Sequence, residues 1–173
     1  VIPIFQTHTG TLYLLPWRFL HRGKINDFVH RLADEAWPIT WDELPERIDV
    51  LYSALHGEYG EDGSLQGMCE VLGIPYVGSD IASSATAIDK WYIKGVLQHL
   101  NVAYPETLPV TPEMLDTYYY DPSQLHTYLQ QHNIELPVIV KPRFEGSSLG
   151  VTKVYTHESL YNALETAVYI AHK

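Results

Sequence analysis

Apolar residues open the chain in two short runs, which predict strands over residues 1–5 and 10–15 joined by the polar turn 6–9. Pro3 confines the first strand to a sheet edge, because proline has no N–H to give a ladder. Residues 16–45 hold three of the four tryptophans without a clean period and predict irregular surface structure with a short helix around 26–33. Strand character returns over 48–55. A helix over 64–72 follows, with Leu65, Met68, Cys69 and Leu72 on one face, closed by Gly73, and IPYVG is a second short strand. Strand, helix and strand within about thirty residues is the order of a parallel βαβ unit. Residues 82–87 are small enough for a helix to approach its neighbour closely, and Asp89 stands where it can cap a second helix running to residue 100.

Beyond residue 100 the pattern predicts a strand over 106–110, a connection containing TYYYDP, a helix over 122–132 and strands over 136–141 and 151–155. A last helix over 158–171 places Leu160, Leu164, Ala167, Val168 and Ala171 on one face. Two lobes are the organisation this order predicts, with Asp89 and Lys90 at the hinge. The chain opens at Val1, without methionine and inside a strand-like run, and is expected to be a piece of something longer.

Composition narrows the function. With 173 residues the chain is long enough to bury about 70% of the surface that its unfolded form exposes. Eleven basic residues against 21 acidic ones leave a net charge of −10, which repels nucleic acid and anionic membranes at long range. No apolar run approaches the ~20 residues needed to cross a bilayer, and the expected compartment is the cytoplasm. The single cysteine, Cys69, has no internal disulfide partner and reads as core filler.

The chemistry concentrates in LPVIVKPRFEGSSLGV, residues 136–151. Val138, Ile139 and Val140 are β-branched, as expected of a strand covered on both faces, and Lys141 stands at the strand's end. Pro142 ends the ladder. Gly146, Ser147, Ser148 and Gly150 then supply a loop whose amides can turn around anionic oxygens while Lys141 neutralises them. On these residues alone the segment is either a phosphate cradle or a plain β-hairpin turn.

Three patterns read together change that balance. LHGEYGEDGSLQGMCEVLGIPYVGS at 55–79, the IDK at 88–90, and LPVIVKPRFEGSSLGV, in this order and spacing, closely resemble D-alanine–D-alanine ligases of the ATP-grasp superfamily, over nearly the whole chain from Leu55 onward. The fold class implied is α/β: a Rossmann-like pre-ATP-grasp lobe at 1–88, incomplete at its start, then the first, small α+β lobe of an ATP-grasp domain at 89–173. The resemblance implies an ATP-dependent carboxylate–amine ligase of peptidoglycan synthesis, serving cell wall biogenesis and cell shape. It implies ATP and magnesium, D-alanine as substrate, no nucleic-acid or membrane partner, and a homodimer.

By the same resemblance Lys141 would pair with the α and β phosphates of ATP and Lys90 would be a second cation beside them. Gly146, Ser147, Ser148 and Gly150 would close over the γ phosphate, with Ser147 also fixing residues on the substrate side, and Glu145 would organise the loop. His56 would stand near the first D-alanine and the developing acyl phosphate. Glu61 and Asp62 precede a helix, where carboxylates accept from free amides, and capping is the role expected of both. Arg143 and Phe144 occupy positions at which family members vary. The family's metal-binding carboxylates and asparagine, its adenine clamp and its oxyanion arginine are expected outside this chain, so the isolated residues are expected not to ligate. The rival readings are a non-catalytic ATP-grasp-like module that binds nucleotide, and a ligase joining D-alanine to D-lactate or D-serine.

Overall fold

The computed structural model describes residues 1–21 and 24–171, with side chains through residue 170, so the expected contribution of Ala171 to the last helix's face lies outside the described side chains. Two compact units emerge, one formed by residues 1–52 and 68–78 and the other by 53–67 and 79–173. The architecture is mixed α/β, as the fold class expected from the sequence requires.

In the first unit β1 (Ile4–Gln6) and β2 (Leu12–Leu14) pair antiparallel, Phe5 opposite Tyr13. Three short helices follow, α1 (Trp17–Leu20), α2 (Ile25–Phe28) and α3 (Leu32–Glu35), the last two bridged by a 3₁₀ turn. β3 (Trp37–Ile39) then returns to pair with β2. The short helix expected around 26–33 is present as α2, the 3₁₀ turn and α3, but the structure corrects the expectation of irregular surface around it. Phe19 and Phe28 stack at 5.2 Å and, with Leu15, Leu32 and Ala36, build the unit's core. Four-residue helices are too short to establish a period, so a buried region can look irregular in sequence.

Arg18 and Arg31 both hold Glu35, whose carboxyl is pulled from its ordinary 4.5 to about 2, first by the hydrogen bond from Arg31 and then by that from Arg18. A carboxyl lowered by folding contributes stability above its unfolded value and loses it as pH falls toward the folded one. The thermal midpoint should therefore fall as pH drops from 4.5 toward 2. Glu35→Gln should flatten that fall, and an unchanged profile in the variant would refute the assignment.

β4 (Leu51–Tyr52) and β5 (Tyr76–Val77) pair in parallel across α4 (Ser64–Leu72), giving the expected βαβ unit with strands shorter than expected. Leu65 and Cys69 are buried as foreseen, whereas Met68 is exposed. Burial raises the Cys69 thiol above its ordinary pKa, which suits packing and opposes nucleophilic chemistry.

In the second unit α5 (Ile81–Ile88) packs on α6 (Tyr92–His99). No strand forms over 106–110. Pro105 and Pro109 have no N–H for a ladder, and Leu108 and Val110 pack on the core instead. The TYYYDP segment is likewise not a connection but the end of α7 (Pro112–Tyr120), followed directly by α8 (Pro122–Gln131). Asp121 closes the first of these helices and caps the second, accepting from the Ser123 amide.

β6 (Val138–Val140) and β7 (Thr152–Val154) form an antiparallel pair against α9 (His157–Ala171). The pair is covered on one face rather than two. Val140 and Val154 join Leu115, Leu125, Leu160 and Leu164 in the core, while Ile139 is about half exposed. Antiparallel strands tolerate one solvated face, and only a period of two separates Ile139 from its buried neighbours. No helix among the described residues is long and apolar enough to cross a membrane.

Candidate functional site

Every sequence-predicted site residue lies in the second unit. Lys141 follows the last paired residue of β6, exposed, with no hydrogen bond or ion pair among the described residues. Pro142, which is buried, turns the chain away from the sheet. From Gly146 to Leu149 it folds back on itself, the Leu149 amide donating to the Gly146 carbonyl at 2.9 Å. Ser147 and Ser148 both take positive φ, 48° and 59°, as a type I′ turn requires of its central residues. Such backbone costs an L-residue about 1–2 kcal/mol apiece, and strain of this kind concentrates at functional sites. Gly150, with φ of 69°, completes the turn against α9, where an added Cβ would lie 2.9 Å from Ile170 Cδ1 and 2.7 Å from Pro142 Cγ.

Against this loop lies the segment carrying His56. Gly57 takes a positive φ and its amide donates to Glu61 Oε2 at 2.6 Å, which folds the HGEYGE stretch into a tight loop. Gly146 meets it so closely that a Cβ there would lie 3.5 Å from Gly57 Cα and from the same Glu61 oxygen. His56 is largely exposed at the rim, with Nδ1 3.9 Å from Glu61 Oε1. Asp62 accepts from the Tyr59 and Ser64 amides, both at 2.9 Å, as capping predicts. Glu61, expected to cap as well, does not: its carboxylate accepts from the Gly57 amide, which precedes it, and closes the histidine's loop instead. The same carboxylate lies beside the glycine at which the phosphate loop begins.

Lys90 reaches the loop from the start of α6. Its amide donates to the Arg143 carbonyl at 3.1 Å and its ammonium to the Glu145 carbonyl at 2.5 Å. Burial lowers the Lys90 pKa below the usual lysine value, and the charge of Lys141 lowers it further, while Glu145 and Asp89 oppose the shift. Two lysines near enough to repel place a local concentration of positive charge beside the loop of an acidic protein, which suits polyanionic oxygens. Glu145 enters this arrangement through its carbonyl oxygen.

One pair escaped the sequence reading. Asp89 was expected to cap α6, and its carboxylate does accept from the Trp91 and Tyr92 amides. The same carboxylate also receives two bonds from Arg143, 54 positions along the chain. No local pattern signals that contact. Among the described residues no group of three ligating side chains is assembled for a metal ion.

Comparison with known proteins gives matches along most of the chain. The family model described as D-ala D-ala ligase N-terminus matches residues 20–79, and that described as D-ala D-ala ligase C-terminus matches residues 108–173. The vancomycin C-type resistance protein VanC1 of Enterococcus gallinarum is 40% identical over 119 residues, covering 69% of this chain and 33% of that protein. The D-alanine–D-alanine ligase of Corynebacterium aurimucosum is 42% identical over 129 residues, covering 75% of this chain and 33% of that protein. The chain thus spans about a third of the length of these curated relatives. Among solved structures, the D-alanine–D-alanine ligase of Coxiella burnetii superposes with a TM-score of 0.73 at 29% identity, over 96% of this chain and 50% of that one.

Proposed function

This chain belongs to the D-alanine–D-alanine ligase family, and from that premise we propose that it forms the phosphate-facing part of an ATP-dependent carboxylate–amine ligase. Its substrate is D-alanine and its product feeds peptidoglycan synthesis. The observation that carries the reading is the convergence of Lys90, Lys141 and the strained 146–150 loop, with the His56 loop packed against Gly146.

A carboxylate is a poor electrophile, and transfer of the γ phosphoryl group onto it supplies a leaving group. The demand on the protein is to stabilise charge on the transferring group. Lys141 and Lys90 neutralise the phosphate oxygens. Ammonium donors exchange carbonyl oxygens for phosphate readily, because the anionic acceptor makes the stronger bond, so Lys90 is available to a nucleotide although Glu145 now holds it. Backbone amides of Gly146, Ser147, Ser148 and Gly150 close over the γ phosphate and exclude water. His56 lies on the rim beside them, where it orients the donor carboxylate and the acyl phosphate formed from it. The Ser147 hydroxyl fixes groups on the substrate side.

The described residues do not assemble a magnesium site. The lobe boundary at residues 88 and 89 is proposed on the same resemblance, as are a cytoplasmic location and a homodimer.

Incubating the whole protein with ATP, magnesium and D-alanine should release ADP and form the dipeptide. Offering D-serine and D-lactate as second substrates identifies the acceptor, and nucleotide binding without ADP release under all three would favour the non-catalytic module. Residues 1–173 alone should show no turnover, and dipeptide formed by the isolated chain would contradict the division of labour proposed.

A further inference from the structure

Arg143 stands at a variable position of its motif, yet its guanidinium is firmly held beside the phosphate loop. Nε donates to Asp89 Oδ1 at 2.7 Å and a terminal N–H to Oδ2 at 2.5 Å, the two-pronged geometry that a planar guanidinium gives and an ammonium does not. Asp89 is only 8% exposed, and its Oδ1 also accepts from the Trp91 and Tyr92 amides at 3.0 and 2.9 Å. One carboxylate therefore starts α6 and anchors the residue three positions before Gly146. Lys90 stands between them, bonded through its amide to the Arg143 carbonyl and through its ammonium to the Glu145 carbonyl.

From this juxtaposition we propose that Arg143 is a positioning residue of the nucleotide site, clamping Asp89 so that the start of α6 aims Lys90 across the phosphate loop. The inference rests on the nucleotide reading above and adds a residue to it. Lys90, Lys141 and Arg143 place three cations at one loop. Asp89 offsets the guanidinium, so that Lys90 faces a neutral pair rather than another bare charge. The pairing lowers the Asp89 carboxyl below its usual range, chiefly through the Arg143 bond, and keeps it ionised. Lysine at position 143 would reach one oxygen as a point charge, and methionine neither.

The test uses the whole protein with Arg143→Lys, Arg143→Met, Asp89→Asn and the double variant Arg143→Met/Asp89→Asn. ADP release is measured against ATP at saturating D-alanine and against D-alanine at saturating ATP, alongside thermal midpoints. A lost charge-assisted bond that places a binding group predicts a KM for ATP raised about tenfold in Arg143→Met and about threefold in Arg143→Lys. The KM for D-alanine should stay within about twofold, and the double variant should be no worse than the worse single one, because the pair acts as a unit. A fallen thermal midpoint with an unchanged KM for ATP, or effects that multiply in the double variant, would overturn the inference. Should Arg143→Met fail to fold, Arg143→Lys decides by the same split. Lys141→Met separates the two levels. If it too leaves the KM for ATP unchanged, the nucleotide reading falls and the clamp with it, and if it alone raises that KM, only the clamp is wrong.

Discussion

Replacing Lys141 by methionine should lower kcat/KM for ATP in the whole protein by about a hundredfold or more, while the thermal midpoint barely moves. Methionine keeps most of the stem's length and removes only the ammonium. A charge-assisted bond to phosphate is worth about 1.5–3 kcal/mol, and a charge stabilising a transferring phosphoryl group adds to that, so ~3 kcal/mol and about two orders of magnitude are expected. Stability should hold because Lys141 is exposed and makes no hydrogen bond or ion pair among the described residues. Substitutions at such positions usually stay within about 0.5 kcal/mol. Removing Lys141 also relieves the repulsion that helps to lower the Lys90 pKa, so the lost affinity cannot be charged to a weakened Lys90. Activity within threefold of the parent would remove Lys141 from the phosphate site.

The second large effect is on stability and falls at Gly150. Its φ of 69° is a conformation that L-residues adopt at a cost of about 1–2 kcal/mol. An alanine Cβ would also lie 2.7 Å from Pro142 Cγ and 2.9 Å from Ile170 Cδ1, and overpacking of this kind costs about 1–3 kcal/mol. Gly150→Ala should thus destabilise by about 2–5 kcal/mol in urea unfolding. Gly146→Ala is the matched control, since its Cβ would meet its neighbours at 3.5 Å, an ordinary contact. Equal unfolding midpoints for the two variants would show that Gly150 is not the tight point between the loop and α9.

What could be read from the sequence follows from how far apart the cooperating residues lie. The βαβ unit was legible because β4, α4 with its Gly73 stop, and β5 follow one another directly. The α7 helix was not, although Thr111 followed by Pro112 is a helix-start signal and the Thr111 hydroxyl does accept from the Met114 amide. TYYYDP was read as part of a connection, whereas its tyrosines end α7 and Asp121-Pro122 is a junction between two helices. β3 was hidden because Pro38 sits inside it, which an outer strand of the β1-β2-β3 sheet tolerates.

The site divides in the same way. Lys141 and the 146–150 loop are contiguous and announce themselves, and IDK marks Lys90. Glu61 against Gly146, and Arg143 on Asp89, join segments that only tertiary folding brings together. Each sets a loop whose residues were recognised beside a partner whose role was not. Motifs identify the groups that meet the ligand more readily than the neighbours that aim them.

The central claim is that the protein carrying this chain activates a carboxylate by phosphorylating it. Supplying the whole protein with D-alanine labelled with ¹⁸O in its carboxylate, together with ATP and magnesium, tests the claim at the bond that breaks. Attack of an amine on an acyl phosphate leaves the bridging oxygen on phosphate, so the account predicts one ¹⁸O in the inorganic phosphate formed, alongside unlabelled ADP. Label in AMP, or product formed with none in phosphate, would contradict it.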